Sequence, residues 1–394
     1  MMGVKWYTSA MPSAPVLTGL AGSLVAVLDA CLVTGFGSRT LTSLSVTSEV
    51  ATATIGAGHT YQQHSIVKIE GATPTELNGE KRILSVTGTQ FTFAAADVED
   101  GSASGTITAS MPPGGWDKVY SATNKAVYRP QDLVAATGIL TRVDDTGTRP
   151  TEAGRVALLR GYEAMSDIDT GTGLIPTAAQ DAAGPRLLKS DTASSAGRAW
   201  FVATDGLSVI LWTATYGVNQ TIGALHLFGD AMTYKLSGDA YCWVVQAGVG
   251  SVTSLQPGYT YGQAHGSSYS TGRWIARSHT GLGSPIAFYD LPDLGLASES
   301  LRGIGLAIYP APIDGGLLIT AYRIMTATED GPRGELPGLW APCHTAASIT
   351  GVANFAVFSQ FQGLPDRNLM WLKLAGTANQ FTGACMVDLA GPWR

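Results

Sequence analysis

The sequence predicts a mainly β protein: an N-terminal arm with one short helix, a small inserted β-sandwich or barrel module, and a larger all-β body. Three observations carry that class. Short runs in which small apolar and polar residues alternate recur along the chain, the period of a half-buried strand. Turn chemistry such as Asn78-Gly79 and Asp205-Gly206 punctuates them. Beyond residue 37 no apolar spacing of three and four residues is sustained, so the body carries no long helix. The 394 residues suffice for two or three domains. The predicted division is 1–40 (arm and helix), 41–110 (small acidic β module, Ig-like or barrel-like) and 111–394 (one large β domain).

Residues 1–17 (MMGVKWYTSAMPSAPVL) read as an extended arm, because Pro12 and Pro15 disfavour helix at the residues before them. Trp6 and Tyr7 are large apolar groups that must be covered, by the chain's own body or by a neighbouring copy. Residues 18–33 read as a helix. Leu20, Leu24, Val27 with Leu28, and Cys31 recur on one face, Thr18 or Gly22-Ser23 starts it, and Gly35 suits its C-terminal cap. Phe36-Gly37-Ser38 then reads as a linker.

The module follows with six expected strands: residues 44–46, 50–54, 66–69, 82–86, 90–93 and 106–108. Asn78-Gly79 is the signal for a tight turn inside it. It holds three basic and seven acidic residues, against 21 and 23 in the rest. It therefore carries most of the net charge, as a solvent-facing appendage would.

In the body, Trp116, Tyr120 and Tyr128 anchor the first β segment. Residues 139–143 read as a strand ended by Asp144-Asp145-Thr146-Gly147, and 155–165 as another, broken at Gly161. Residues 167–186 read as a long surface loop with one helical turn near 177–180. RAWFVATDGLSVILWT (198–213) is the clearest hairpin, turning at Asp205-Gly206. Further strands are expected at 225–228, 241–245, 273–277, 304–309, 317–319, 321–325, 353–358, 369–374 and 384–389. Residues 335–340 (ELPGLW) read as a turn-rich loop.

Composition narrows function. The net charge of −6, with Lys81-Arg82 as the longest basic feature, argues against a phosphate-backbone binder. Only 14% of residues are charged, well below the ~25% of an ordinary soluble domain. Surface covered by partners explains that as well as a larger core does. The longest apolar run, 20–33, is interrupted by Asp29 and too short to span a bilayer, so no membrane insertion is expected; it also makes a poor signal peptide. Cys31, Cys242, Cys343 and Cys385 form no CxxC pair and read as free thiols.

Catalytic and metal constellations are weak. His59 and His64 have no carboxylate at ligand spacing. Cys343 and His344 are adjacent, and neighbours on a strand face opposite ways. Asp144-Asp145 resembles a glycosidase carboxylate pair but also opens a turn. Asp167-Ile168-Asp169-Thr170-Gly171 has alternating oxygens, like the start of a calcium loop, without the closing Glu. No P-loop, G-x-S-x-G or G-x-G-x-x-G motif is present. Nine tryptophans invite sugar stacking, yet they are scattered through strands, where core or subunit contact is the expected use. The expectation is no enzyme, no catalytic residue, no metal and no cofactor.

Several segments carry a family resemblance. SAMPSAPVLTGLAGSLVAVLDACLVTGFG resembles the start of virion structural proteins of tailed bacteriophages and prophages. GATPTELNGEKRILSVTGTQFTFAA looks like a small β module that recurs in phage structural proteins. RVDDTGT, GYEAMSDIDTGTG and LFGDAMTYKLSGDAY are similar to later segments of the same proteins, and ELPGLWAPCHT to their closing loop. The resemblance covers most of the chain, and its motifs are structural. It implies a non-enzymatic, oligomeric virion component of the tail tip or baseplate, assembled in the bacterial host cytoplasm. Its partners would be copies of itself and neighbouring virion proteins. A capsid decoration or head–tail connector protein, and a host-surface glycan-binding receptor protein, are the alternatives. The expected assembly contacts are Trp6, Tyr7, Leu20, Leu24 and Leu28.

Overall fold

The computed structural model describes residues 3–147, 154–182, 184–217, 219–247, 272–292, 308–326, 331–361, 364–375 and 381–394. It is 48% strand and 6% helical, so the mainly β class holds. The N-terminal region contains β1 (Lys5–Thr8), the helix α1 (Ser23–Leu28) and a π-helical segment (Asp29–Thr34). The module contains β2 (Phe36–Thr40), β3 (Ser43–Thr47), β4 (Val50–Thr54), β5 (Ile66–Glu70), β6 (Gly79–Val86), β7 (Gln90–Ala94), β8 (Gly101–Ser102) and β9 (Thr108–Met111). They form one eight-stranded sheet in the order β2-β9-β5-β6-β7-β4-β3-β8.

A six-stranded sheet follows, from β10 (Trp116–Ala122), β11 (Lys125–Pro130), β12 (Leu140–Asp144), β13 (Val156–Met165), β14 (Gly171–Ile175) and β15 (Arg186–Leu188). The rest of the chain supplies β16 (Trp200–Thr204), β17 (Ser208–Thr213), β18 (Ala224–Asp230), β19 (Met232–Thr233), β20 (Trp243–Gln246), β21 (Arg273–Ile275) and β22 (Ile286–Pro292). It continues with β23 (Ile319–Thr326), β24 (Pro332–Pro342), β25 (Val357–Phe361), β26 (Leu364–Ala375) and β27 (Phe381–Asp388). With β1 they make a 13-stranded sheet, β1-β16-β17-β18-β20-β21-β22-β23-β24-β27-β26-β25, and β19 pairs with β24. The body is thus built on two sheets. The expected strand at 304–309 falls largely outside the described residues.

The module's alternation works as the sequence implies. In β3, β4 and β7 every second residue is buried, which places Leu44, Val46, Ala51, Ala53, Phe91 and Phe93 inside. β6 serves two neighbours: its first half pairs with β5 and its second with β7, with a register shift between Ile83 and Ser85. That shift bends the sheet around its own core. The module is larger than 41–110. Phe36-Gly37-Ser38, read as a linker, begins β2, which pairs with β9 some 70 residues later. The Tyr61 hydroxyl locks that closure, lying 2.8 Å from Gly37 O and 2.6 Å from Ala109 O. Asn78-Gly79 makes no two-residue hairpin. The Asn78 side chain instead bonds both Ala72 N and Ala72 O (2.9 and 2.8 Å), closing the longer loop between β5 and β6.

Nor does the module project as an appendage. One buried cluster runs from Trp6 through Phe91 and Phe93 to Trp116, Trp200, Trp243 and Trp393. Arg82 reaches out of the module to the C-terminal segment, donating to Leu389 O (2.7 Å) and Ala390 O (3.1 Å). Lys5, from β1, bonds Glu80 (2.6 Å) and Pro113 O (2.8 Å).

The helix is shorter than its apolar spacing suggests. Gly22 is left-handed (φ 81°) and breaks the chain direction, so α1 begins at Ser23. The Leu20 carbonyl accepts from Lys189 Nζ (2.7 Å) rather than from a helical N–H. Beyond Leu28 the turns widen to π geometry. There Asp29 accepts from the Tyr128 hydroxyl (2.9 Å) and pairs with Lys118 (2.7 Å), tying the segment to the six-stranded sheet.

Two glycines read as breakers are sites of close approach. β13 is continuous through Gly161, and a Cβ there would lie 2.5 Å from the Trp243 ring. Gly161→Ala is therefore expected to cost about 1–3 kcal/mol by overpacking, measured by urea unfolding. Residues 335–340, read as a loop, lie within β24. Register jumps from Ala321↔Trp340 to Arg323↔Glu335, so Leu336 to Leu339 form a bulge opposite Tyr322. Gly338 (φ 69°) lies where a Cβ would come 2.1 Å from the Trp393 indole. The region read as a surface loop, 167–186, contains β14, and β15 starts at its end. Both pair with β13, along different halves of it.

Candidate functional site

The expected assembly contacts divide sharply. Trp6 and Tyr7 are 2% and 0% exposed, within β1, which pairs with β16 as an edge of the large sheet. Trp6 stacks on Phe201 (centroids 6.1 Å apart) and donates to His64 O (3.2 Å). The Tyr7 hydroxyl donates to Pro112 O (2.7 Å). Leu24 and Leu28 are also fully buried. These four side chains are buried within the chain's own fold. Leu20, at 44% exposure, remains open to contact.

Apolar surface lies elsewhere, at loop tips. Leu236 is fully exposed and Leu282 largely so (72%). Their loops are tied together: Lys235 Nζ donates to His279 O (2.9 Å), and Gly281 lies against the Tyr241 ring. Tyr241 in turn carries the Arg277 guanidinium at 4.8 Å, and Arg277 forks onto Glu163 of β13. Arg333, in β24, bonds Asp239 (2.8 Å) and the Arg277 carbonyl. Two leucines are thereby presented on loops braced by buried or half-buried charge. Nothing local in the sequence marks them, because a single leucine beside glycine in a loop carries no periodic signal.

The carboxylates considered for chemistry are engaged. Asp144 bonds Arg142 (3.1 Å) and Thr146 Oγ1 (2.7 Å), whereas Asp145 points inward. Asp145 pairs with Lys189 and accepts from Leu24 N (2.8 Å), and neither side chain of that pair has any solvent exposure. The two carboxyls diverge, so they do not flank a common substrate position. Burial pushes Asp145 up to about 6, although Lys189 and the Leu24 and Val25 N–H groups pull it down. Burial likewise lowers Lys189.

Asp167 accepts from its own loop, at Asp169 N and Thr170 N (both 2.8 Å). Asp169 binds Lys125 (2.9 Å) and Arg142. Of the carboxylates that suggested calcium, Asp167 thus faces backbone N–H groups and Asp169 faces two cations. Among the described residues no group of three or more His, Cys, Asp or Glu is arranged to hold a metal. His344 Nε2 accepts from Leu318 N (2.8 Å), away from Cys343, whose thiol is pushed up to about 11 by burial. All four cysteines are buried. His226 is fully buried in β18, and burial lowers it to about 3. No helix among the described residues is long and apolar enough to cross a membrane.

One cleft of about 60 Å³ opens beside the β24 bulge. It is lined in part by Glu335, Trp340, Arg367, Asp388 and Trp393. Arg367 pairs with Asp388, and Glu335 accepts from the Tyr234 hydroxyl. A partly exposed indole among polar groups has the makings of a small sugar subsite. Trp274, another of the nine tryptophans, lies in β21 and is not part of this lining.

No protein-family model matches the chain, and neither a curated protein nor a solved structure does.

Proposed function

We propose that this chain is a non-enzymatic structural component of a tailed-bacteriophage or prophage particle, assembling as an oligomer in the tail tip or baseplate. The observation that carries the assembly part is the pair of exposed leucines, Leu236 and Leu282, on two mutually tied and braced loops. Exposed apolar groups on rigid supports gain more from burial against a partner than groups on mobile loops, because less freedom is lost. The phage part rests on the sequence segments quoted above. The low charge of the chain supports a surface that is largely covered.

The double variant Leu236→Glu/Leu282→Glu tests the contact. Its unfolding midpoint should match the parent, since both side chains are exposed. Its incorporation into particles should fall at least tenfold. Unchanged incorporation would remove these loops from the interface. The cleft at Trp340 favours a second reading, a host-surface glycan receptor. A glycan array bound by the parent and not by Trp340→Ala would support it.

A further inference from the structure

Asp145 and Lys189 form the only ion pair among the described residues in which both side chains have no solvent exposure. Nζ of Lys189 contacts Oδ1 of Asp145, which places the amine beside the carboxyl carbon. Oδ2 accepts from Leu24 N (2.8 Å), a donor placed where negative charge would gather if that carbon were attacked. Ser23 Oγ accepts from Nζ at 3.3 Å and helps to hold the amine in place. Leu20 O accepts from Nζ at 2.7 Å.

These partners suit an amide as well as an ion pair. An amide nitrogen at Nζ keeps one hydrogen, and Leu20 O is in place to accept it. An amide oxygen at Oδ2 needs a donor, and Leu24 N supplies one. Replacing two buried charges by one fully bonded neutral group also removes their desolvation cost.

We propose that Asp145 and Lys189 join in an intramolecular amide bond. One proton passes from the Nζ ammonium to Oδ1, and the neutral amine attacks Cγ. The tetrahedral centre holds its charge on Oδ2, against Leu24 N. A second proton passes from Nζ directly to Oδ1, which it contacts, the Cγ–Oδ1 bond breaks, and one water departs. No oxidant or outside reagent is consumed. Fixed proximity in a water-free site supplies the acceleration. Burial favours the neutral amine and acid that the first step requires. The bond would staple the end of β12 to the segment after β15, across 44 residues of chain. It would constrain the unfolded chain as a disulfide does. It stands independently of the proposed virion role.

Mass spectrometry of the intact, denatured, full-length protein tests it. The expected mass is lower than the sequence mass by one water. Trypsin should release a branched species joining residues 143–155 to 187–198, with no cleavage after Lys189. The Lys189→Arg variant should show the full sequence mass. A parent protein at full sequence mass, cut normally after Lys189, overturns the proposal. So does a water loss without the branched species, as a cyclised Asp205-Gly206 would give.

Discussion

Lys189→Ala is expected to lower the unfolding free energy by about 3–5 kcal/mol, the cost of leaving a buried charge without its partner. The lysine is embedded in a knot of four chain segments. It bonds Leu20 O and Ser23 Oγ before α1 turns, and Asp145 at the end of β12. Asp145 in turn holds Leu24 N, and its backbone bonds Gly22 N (2.9 Å) and Asn124 O (2.9 Å). Removing Nζ strands the carboxylate in a site that water does not reach. The deficit should depend on pH. Burial raises the folded carboxyl above its unfolded value, so the folded state holds the proton more tightly. Stability of the variant therefore falls as pH rises from about 4 through the folded value, and acid relieves it. Urea unfolding of parent and variant at pH 4.5 and pH 7.5 should show the larger gap at pH 7.5. The pair of substitutions Lys189→Met/Asp145→Leu should cost less than Lys189→Ala alone, since it leaves no orphaned charge.

Trp6→Ala is expected to cost about 3–5 kcal/mol in the isolated chain, the range for deleting a buried indole. The side chain is 2% exposed, stacks on Phe201 and bonds His64 O of the module. Its loss opens a cavity where β1, β16 and the module meet. The site therefore stabilises the chain before any partner arrives. Deleting residues 1–17 removes β1 altogether, so failure of that truncation to enter particles would report misfolding as readily as lost contact. Trp6→Ala that unfolds like the parent in isolation, yet fails to assemble, would return this residue to the interface.

What the sequence revealed was local. The hairpin at 198–213 was legible because its turn is made by neighbours: Asp205 Oδ1 accepts from Leu207 N and Ser208 N (3.0 and 2.8 Å), and Gly206 is left-handed. Alternation in β3, β4 and β7 was legible for the same reason. Elements defined by distant partners were not. β2 looked like a linker because glycine and serine have weak strand preference, and only β9 makes it a strand. β24 looks like a loop because Pro337-Gly338 suits a turn, and the glycine answers to a left-handed backbone (φ 69°) and to the distant Trp393 indole together. Lys189 drew no notice, because its partner lies 44 residues away. Trp6 and Tyr7 are legible as groups that need cover, but whose surface covers them is set by β16 and the module, far along the chain. Loop-tip leucines such as Leu236 carry no periodic signal at all.

Reconstruction of purified particles by cryo-electron microscopy tests the proposed role most directly. The expected map shows several symmetry-related copies of this β fold in the tail tip or baseplate, with the loops bearing Leu236 and Leu282 at subunit contacts. Purified, infectious particles whose map and peptide content contain no copy of the chain would contradict it.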